Sequence, residues 1–539
     1  MQKTCPISHN PFQILPQEEI FCKRMGFPTP EIHPKERLRK LFATRNEWKL
    51  YKRKCDKTGK EILSAYHPNC GFKVYDNPIW WGDSWDALEY GRDFDFSKPF
   101  FEQFASLQKE VPREGTTIFN CENCEYNSHI RNSKNCYLNS LVAKCEDALY
   151  SYWIVENKDI VDCMYTNYST LCYWCSDVNH CFNCIYLRES VDCSDCFFSY
   201  QLRGCNHCIF CSNLANKSYY AFNKPCTKEK FEELKAQRLD ETNKNLEKAK
   251  KEYEELLKKT PHRHLHNLKC ENCTGDHLYN AKNCIECYDG NDGEDCYNLV
   301  SIDHSKDVYN IYSAGWPGCE VLYNCCVTRG SQDCAFCTYT FFGAGLRYCD
   351  SCISCKNCFG CIGLQHKEYC ILNKQYSKAE YEKLKTKIIE HMTKSRRAGQ
   401  TSEWGRFFPP SLSPFAYNET GAQDFFPLTK EEAEKLGFRW LEEDKKESKT
   451  ANSKDVSACE KCGKIYKLIP QELKFYKQMN IPTPTSCPSC RHKERFQARG
   501  EYALYDRTCD NCKKPIKTTY PPKSPYTIFC EKCYLESVD

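Results

Sequence analysis

Two nested duplications constrain this chain more than any other feature of its 539 residues. Near Cys121 it reads CENCEYNSHIRNSKNC, and near Cys270 it reads CENCTGDHLYNAKNC. About a hundred residues later KSYYAFNKPCTKEKFEELK at Lys217 matches KEYCILNKQYSKAEYEKLK at Lys367, with the offset held between 148 and 150 throughout. Chance does not keep such a register, so 119–226 and 268–376 are homologous lobes. The outer ends match each other too. CPISHNPFQILPQEEIFCKRMGFPTPEIHPKER from Cys5 aligns with CEKCGKIYKLIPQELKFYKQMNIPTPTSCPSCRHKER from Cys459 at an offset of 454, and the match continues to CDKTGK at Cys55 against CDNCKK at Cys509.

Within the first lobe Cys184, Cys196 and Cys208 are spaced by twelve, and Tyr220 extends the series; the earlier members Cys136, Ala148 and Cys163 come at twelve and then fifteen. Short hydrophobic strands separated by Asn, Asp, Ser and Gly at this period predict a β-solenoid of one or two strands per coil, with the helix after each lobe capping its open end. The fold class expected is therefore mainly β with some α, two tandem Cys-rich solenoid lobes flanked by zinc ribbons.

Cysteine makes up 43 of the residues, a density met in short secreted disulfide scaffolds, but the chain is far too long for that class. The opening MQKTCPISHN has no apolar run after a basic start, and no segment approaches the roughly 20 apolar residues that span a bilayer. A cytoplasmic protein with no membrane association is expected, and in that compartment Cys-x-x-Cys pairs are metal-binding, redox-active or buried rather than bridged.

On a flat strand residues i and i+3 point to opposite faces, so a Cys-x-x-Cys in a lobe chelates nothing unless the chain rounds a corner. Stacked strands place equivalent cysteines in a ladder about 4.8 Å apart, which serves either as a dry core or as a metal site. The CENC pairs, Cys121 with Cys124 and Cys270 with Cys273, are the lobe metal candidates because both copies keep them beside KNC. The run CDSCISCKNCFGC, Cys349 to Cys361, must wind around tight corners, with some thiols inward and alternate ones open to a metal.

The segment 227–267 predicts one long charged helix over Lys228 to Lys259, with an apolar stripe at Leu246, Ala249, Tyr253 and Leu256; the stripe lies on its own lobe or forms a homodimer seam. His262, His264 and His266 then read as a solvated linker. Two aromatic arms, 76–118 and the Pro-rich part of 377–453, carry Trp80 and Trp404 and read as packing segments. Ser377 with Glu380, and Thr429 with Glu432, are capping boxes, and Gly437 ends the second helix.

From residue 454 to the end run four Cys-x-x-Cys knuckles: Cys459 with Cys462, Cys487 with Cys490, Cys509 with Cys512, and Cys530 with Cys533. Zinc takes four tetrahedral soft ligands, and two knuckles joined by a loop supply them. The stretch from Cys459 resembles the probable zinc-ribbon, treble-clef-like family in its Cys-x-x-Cys-Gly, Phe-Tyr-Lys, Pro and Cys-x-x-Cys-Arg order, and the resemblance implies that Cys459, Cys462, Cys487 and Cys490 form one zinc site. The chain as a whole looks like large uncharacterised Cys-rich bacterial proteins that end in such ribbons. In the N-terminal copy, 1–75, Cys5 keeps its place, while Ser8, His33 and Glu36 stand at the other ligand positions and Thr58 and Asp76 replace two more in the second ribbon. Residues 1–60 hold 14 Lys and Arg against 6 Asp and Glu, including KERLRK at Lys35, a basic surface of the kind that seats phosphates.

No phosphate-cradling Gly-rich loop, HExxH or Gly-x-Ser-x-Gly is present, so no catalytic residues are assigned. The expectation is a non-enzymatic multi-zinc scaffold that binds a macromolecular partner, RNA or protein, through its basic ribbons. The alternative is redox or metal handling, either zinc storage or electron transfer; ferredoxin spacing is missing after Cys361.

Overall fold

The computed structural model describes residues 1–315, 317–394, 402–442 and 456–538. Parts of the predicted 377–453 arm, and the first two residues of the predicted double ribbon, lie outside them. The described residues are mainly β with twelve α-helices, and none of the helices is long and apolar enough to cross a membrane. Two compact units divide the chain: Met1–Gly115 with Leu265–Glu442 and Tyr502–Leu504, and Thr116–His264 with Glu443–Glu501 and Tyr505–Asp539. Each unit thus joins one lobe to the ribbons from the opposite end of the sequence.

Among the described residues each lobe holds a large sheet, of 15 strands in the first, all parallel but the last, and of 7 parallel strands in the second. The chain returns to pair with itself every twelve residues, so that Cys172 pairs with Cys184, Cys196 with Cys208, and Cys208 with Tyr220. The period read from the sequence is the observed register. The step of fifteen to Cys163 is not: Ala148 pairs with Ile160 and Ile160 with Cys172, while Cys163 stands three residues further along.

That difference of three is the unit of the architecture. Almost every third residue has positive φ, as at Asn132, Asn135, Leu138, Leu141, Lys144, Asp147 and Tyr150, so the backbone turns after each three-residue side. Left-handed backbone costs an L-residue roughly 1–2 kcal/mol except where Asn, Asp or Gly stands there, which accounts for the recurring Asn-Cys and Asp-Cys pairs. Asn123, Asn135, Asp162, Asp192, Asp195, Asn283, Asp295, Asp333 and Asn357 are all left-handed, and each directly precedes a cysteine. The buried cluster inside the first lobe, from Ile118 to Tyr220, is built only of residues separated by multiples of three.

The narrowness of this interior selects cysteine. Paired strands lie about 4.8 Å apart, so the inward side chains stack closely on one another. Cys, Ser, Ala and Val fit there. The thiols donate to carbonyl oxygens two residues back, for instance Cys145 to Ala143 at 3.3 Å and Cys184 to Phe182 at 3.3 Å. In the run Cys349 to Cys361 all five side chains are fully buried, each preceded by a left-handed residue, Tyr348, Ser351, Ser354, Asn357 or Gly360. The expectation that only some of the thiols point inward, with alternate ones open to a metal, is corrected: left-handed backbone at every third residue turns all five to the buried side. Replacing Cys184 with Leu is expected to overpack this interior and cost about 1–3 kcal/mol, whereas Phe182→Leu on the exposed face should stay within about 0.5 kcal/mol, both read from thermal unfolding.

On the outside, acidic and basic residues alternate along one column. Glu122 pairs with Lys134 at 3.0 Å and Glu146 with Lys158 at 3.2 Å; in the other lobe Glu294 pairs with Lys306 at 3.0 Å. Like charges facing each other one strand apart would repel, so this alternation supports the register. The drift of the lobe offset is equally local: Glu271 faces Lys282 eleven residues on, and Ser305 faces Cys319 fourteen residues on, one residue fewer and two more than the usual twelve.

The expected single rod is two helices, Lys228–Arg238 and Asn243–Lys259. Thr227 caps the first by accepting from the Lys230 N–H. Leu246, Ala249, Tyr253 and Leu257 are buried against their own lobe, the Tyr253 hydroxyl donating to the Ser199 carbonyl at 3.1 Å. Leu257, not Leu256, completes the stripe. Both helices join the outward aromatic cluster with Phe197, Phe198 and Phe210, and no helical residue belongs to the interior cluster, so they lie along the lobe's flank instead of capping its end. The antiparallel pairing of Tyr220 with Pro225 is what stops the parallel ladder.

The capping boxes at Ser377 and Thr429 form as predicted, and Gly437 has φ of 84° just past its helix. Both aromatic arms pack inward: Trp80, Phe100, Phe104, Trp404 and Tyr417 belong to one core. The histidine segment is not a solvated linker. His262 is buried, with Nε2 2.7 Å from the Leu257 carbonyl and Nδ1 3.0 Å from the Tyr200 hydroxyl, and Pro261–Arg263 pairs as a strand with Thr527–Phe529. His266 is buried beside Asp276.

Candidate metal centre

Two groups of four cysteines come together, Cys459, Cys462, Cys487 and Cys490, and Cys509, Cys512, Cys530 and Cys533, the four sulfurs of each group lying within 4.8 Å of one another. The first begins on a hairpin of Val456–Ala458 and Ile465–Lys467. Between these strands the Cys459 N–H donates to the Lys464 carbonyl and the Gly463 N–H to the Cys459 carbonyl, with Gly463 left-handed at φ 71°. Cys487 sits at the N-cap of the helix Pro488–Arg499, and Cys490 is in its first turn. The second site repeats the plan on Tyr505–Thr508 and Pro515–Thr518, with Lys513 in the left-handed place of Gly463 and Cys530 just before the helix Glu531–Val538.

Cys462 and Cys487 Sγ are 3.7 Å apart, as are Cys512 and Cys530 Sγ. A disulfide would need about 2.05 Å. A zinc ion at about 2.3 Å from four sulfurs requires an S to S edge of about 3.8 Å, so the donor set fits a tetrahedral thiophilic cation. Burial opposes ionisation of Cys459, yet backbone N–H groups of Cys487, Cys462 and Lys461 aim at its sulfur and lower the thiol to about 6. Cys509, burial likewise opposing, falls to about 6 under the N–H groups of Cys530, Cys512 and Asn511. Cys462 and Cys512 are exposed, which leaves each site reachable from solvent.

The first site is wired directly to its lobe. Arg491, Arg495 and Arg499 recur every four residues along the helix that Cys487 and Cys490 start, and so share one face. Asp162 of the lobe, fully buried, receives Arg491 Nε at 2.8 Å and Arg495 Nη1 at 2.6 Å, while Arg499 pairs with Asp177 at 3.0 Å and lies 3.8 Å over the Tyr165 ring. Glu472, also buried, accepts from the Tyr150 hydroxyl at 2.7 Å, the Tyr476 hydroxyl at 3.0 Å and the Ile469 N–H at 2.8 Å. The second site is tied down by Arg263, whose guanidinium is paired with Glu531, and by the strand Pro261–Arg263.

The N-terminal ribbons keep this scaffold with other side chains. His9 is left-handed where Gly463 is, and Gly59 where Lys513 is. The Asp76 N–H reaches the Cys55 sulfur at 3.4 Å, as the Cys530 N–H reaches Cys509 at 3.3 Å. The would-be ligands have turned elsewhere: His33 Nδ1 accepts from the Lys35 N–H and Glu36 is paired with Arg39. Cys22 is buried against the Tyr323 side chain, and among the described residues it joins no group of three or more mutually close ligand atoms. The duplicated positions nevertheless meet again, with the arginine's carboxylate now supplied by the ribbon instead of the lobe. Glu18 pairs with Arg37 at 2.5 Å and accepts from Asn310 at 3.2 Å; these residues are the duplicates of Glu472, Arg491 and Asp162.

The basic runs therefore serve the interior more than the surface. Arg37, Arg491 and Arg495 are buried, and the exposed cations at the C-terminal ribbons are lysines such as Lys467, Lys493, Lys513, Lys514 and Lys523. The CENC cysteines lie at the start of each ladder. Their thiols donate to backbone carbonyls, Cys121 to Phe119 at 3.2 Å, Cys124 to Glu122 at 3.2 Å, Cys270 to Leu278 at 3.2 Å and Cys273 to Glu271 at 3.2 Å. Among the described residues, none of Cys121, Cys124, Cys270 and Cys273 belongs to a group of three or more mutually close ligand atoms. Spacing made the eight C-terminal ligands legible; Asp162, Asp177 and Glu472 were missed because nothing near them in sequence marks them as partners of residues more than 300 positions away. No protein-family model matches the chain, and neither does any curated protein.

Proposed function

We propose that the chain is a non-enzymatic, zinc-stapled scaffold of the cytoplasm, in which each lobe is a four-sided β-solenoid and each ribbon pair a treble-clef-like clamp on it, and that it presents these surfaces to a macromolecular partner. The observation that carries the reading is the coupling of the first four-cysteine site to Asp162: metal ligands and docking arginines share one helix, so the metal serves architecture. Structural zinc sites use four protein ligands and keep no open position, which matches both sites and argues against a catalytic metal.

For the partner, the exposed lysines of the ribbons favour phosphate contacts of the point-charge kind, without the bidentate arginine forks that read bases. RNA bound weakly and without sequence preference is the partner class this supports. The test is filter binding of bulk single-stranded RNA to the zinc-loaded protein across salt. Binding in the micromolar range that weakens steeply between about 50 and 200 mM salt is expected, and Lys493, Lys513 and Lys514 changed together to Glu should reduce it at least about tenfold, because each lost phosphate contact weakens binding. Salt-independent binding, or none at about 10 µM, would overturn the RNA arm.

A further inference from the structure

The start of the first lobe and the helix Pro470–Gln478 border a cavity of about 330 Å³, a volume within the range that takes small organic ligands. Both walls belong to the same compact unit. One wall is an outward column built by the twelve-residue period. Asn123, Asn135 and Asp147 stand one turn apart, each left-handed, and the Asn123 side-chain amide donates to Asn135 Oδ1 at 3.0 Å. The helix locks this column in place: Gln471 Nε2 donates to the Asn135 carbonyl and to Asp147 Oδ1, both at 2.9 Å. With both of those N–H bonds spent, Gln471 has its carbonyl oxygen left to offer the cavity. Tyr126 and Tyr137 add an aromatic corner, their ring centroids 5.4 Å apart and the planes tilted by 50°.

Charge decides what such a cavity accepts. Glu125 and Asp147 line it, and the lining holds no Lys, Arg or His. Among the described residues neither carboxylate pairs with a cation, whereas Glu122 and Glu146 close by are answered by Lys134 and Lys158. Negative charge accumulates along the column, since burial and the neighbouring Asp147 both raise the Asp159 carboxyl. The positive end of the helix Pro470–Gln478 does not offset this, because Glu472 already accepts from the Ile469 N–H at 2.8 Å. An anion is therefore disfavoured. A bare metal ion finds no ligand set either: among the described residues no three ligand atoms of this cavity lie within 4.8 Å of one another. An ammonium group satisfies both halves of the site, donating to the carboxylates while its alkyl chain lies over rings whose faces attract the cation.

We propose that this cavity binds an organic ammonium ion, with Glu125 and Asp147 as its counter-charges, Gln471 as a further acceptor and Tyr126 with Tyr137 as the ring wall. The inference goes beyond the scaffold reading and does not rest on it, since the lysines assigned to RNA and the ribbon cysteines lie outside the cavity.

The test titrates putrescine into the zinc-loaded full chain at low salt, followed by calorimetry. One putrescine per chain should bind, and its uncharged analogue butanediol should not. Glu125→Gln and Asp147→Asn should each weaken binding about threefold or more, with circular dichroism melts to verify folding. Tyr126→Leu should weaken it to a similar degree while Tyr126→Phe, which keeps the ring, retains it. Independently of any variant, saturating the aromatic protons of the wild type should transfer signal to the putrescine methylenes in ligand-observed NMR. Equal binding of butanediol, binding of glucose in its place, displacement of putrescine by an equal concentration of magnesium, unchanged affinity in the folded carboxylate variants, or neither heat nor saturation transfer up to about 10 mM would each overturn the proposal.

Discussion

Stripping metal from the two four-cysteine sites is expected to melt residues 456–538 away from their lobe while the lobe and the N-terminal ribbons keep their protection. The C-terminal ribbons are short hairpins and helices with little core of their own, and Cys487 begins its helix with no side-chain capping bond. What fixes that start is the tetrad. Structural zinc supplies apparent binding energies of about 10–16 kcal/mol in small fingers, more than the stability of most domains. Without it the thiolates repel, the helix N-terminus frays, and Arg491 and Arg495 lose the geometry that places them on Asp162. The N-terminal ribbons are an internal control. They hold the same turns with Cys5 and Cys55, whose thiols are depressed below the ordinary range, against the effect of burial, by hydrogen bonds from Ser8 and from Thr58. Hydrogen exchange with and without a strong chelator, under reducing conditions, should show a loss of several orders of magnitude in protection confined to 456–538. Equal loss in residues 1–75, or none in either segment, would contradict this account.

The second large effect is expected from Asp162→Ala. Its carboxylate is fully buried and receives two guanidinium groups, and burial penalises the charge on Arg491 while Asp162 sustains it. Removing one partner of a buried ion pair leaves uncompensated charge and costs about 3–5 kcal/mol. At about 2–4 °C per kcal/mol for a unit of this size, the melting transition should fall by roughly 10 °C. Glu122→Ala, which breaks an exposed pair of the charge column, should change stability by no more than about 0.5 kcal/mol. Indistinguishable melts for the two variants would show that the arginine face does not hold the ribbon to the lobe.

Much of the repeat was written in the sequence. The period of twelve is visible in Cys184, Cys196 and Cys208, and the eight ribbon ligands in their Cys-x-x-Cys spacing. The three-residue side was equally present, as Asn or Asp before cysteine after cysteine, but it looks like a strand separator until one asks which residues tolerate positive φ. The broken rod is a milder miss. Leu239 to Thr242 interrupts a helical pattern whose charges run on unbroken, and the stripe rotates by one residue from Leu256 to Leu257 as Tyr253 settles on the lobe.

The sequence alone determined the period, the duplications and the ligand sets, because each is a local pattern: a turn residue every third position, a small side chain after it, two thiols three apart. Only the tertiary structure decided which ribbon belongs to which lobe. Residues 1–115 pack with the second lobe and the C-terminal ribbons with the first. That choice is made by burying Glu18, Arg37 and Asn310 together in one unit, and Glu472, Arg491, Asp162 and Tyr150 together in the other. Buried charges must find their partners wherever the chain places them, and no spacing along the sequence records that match.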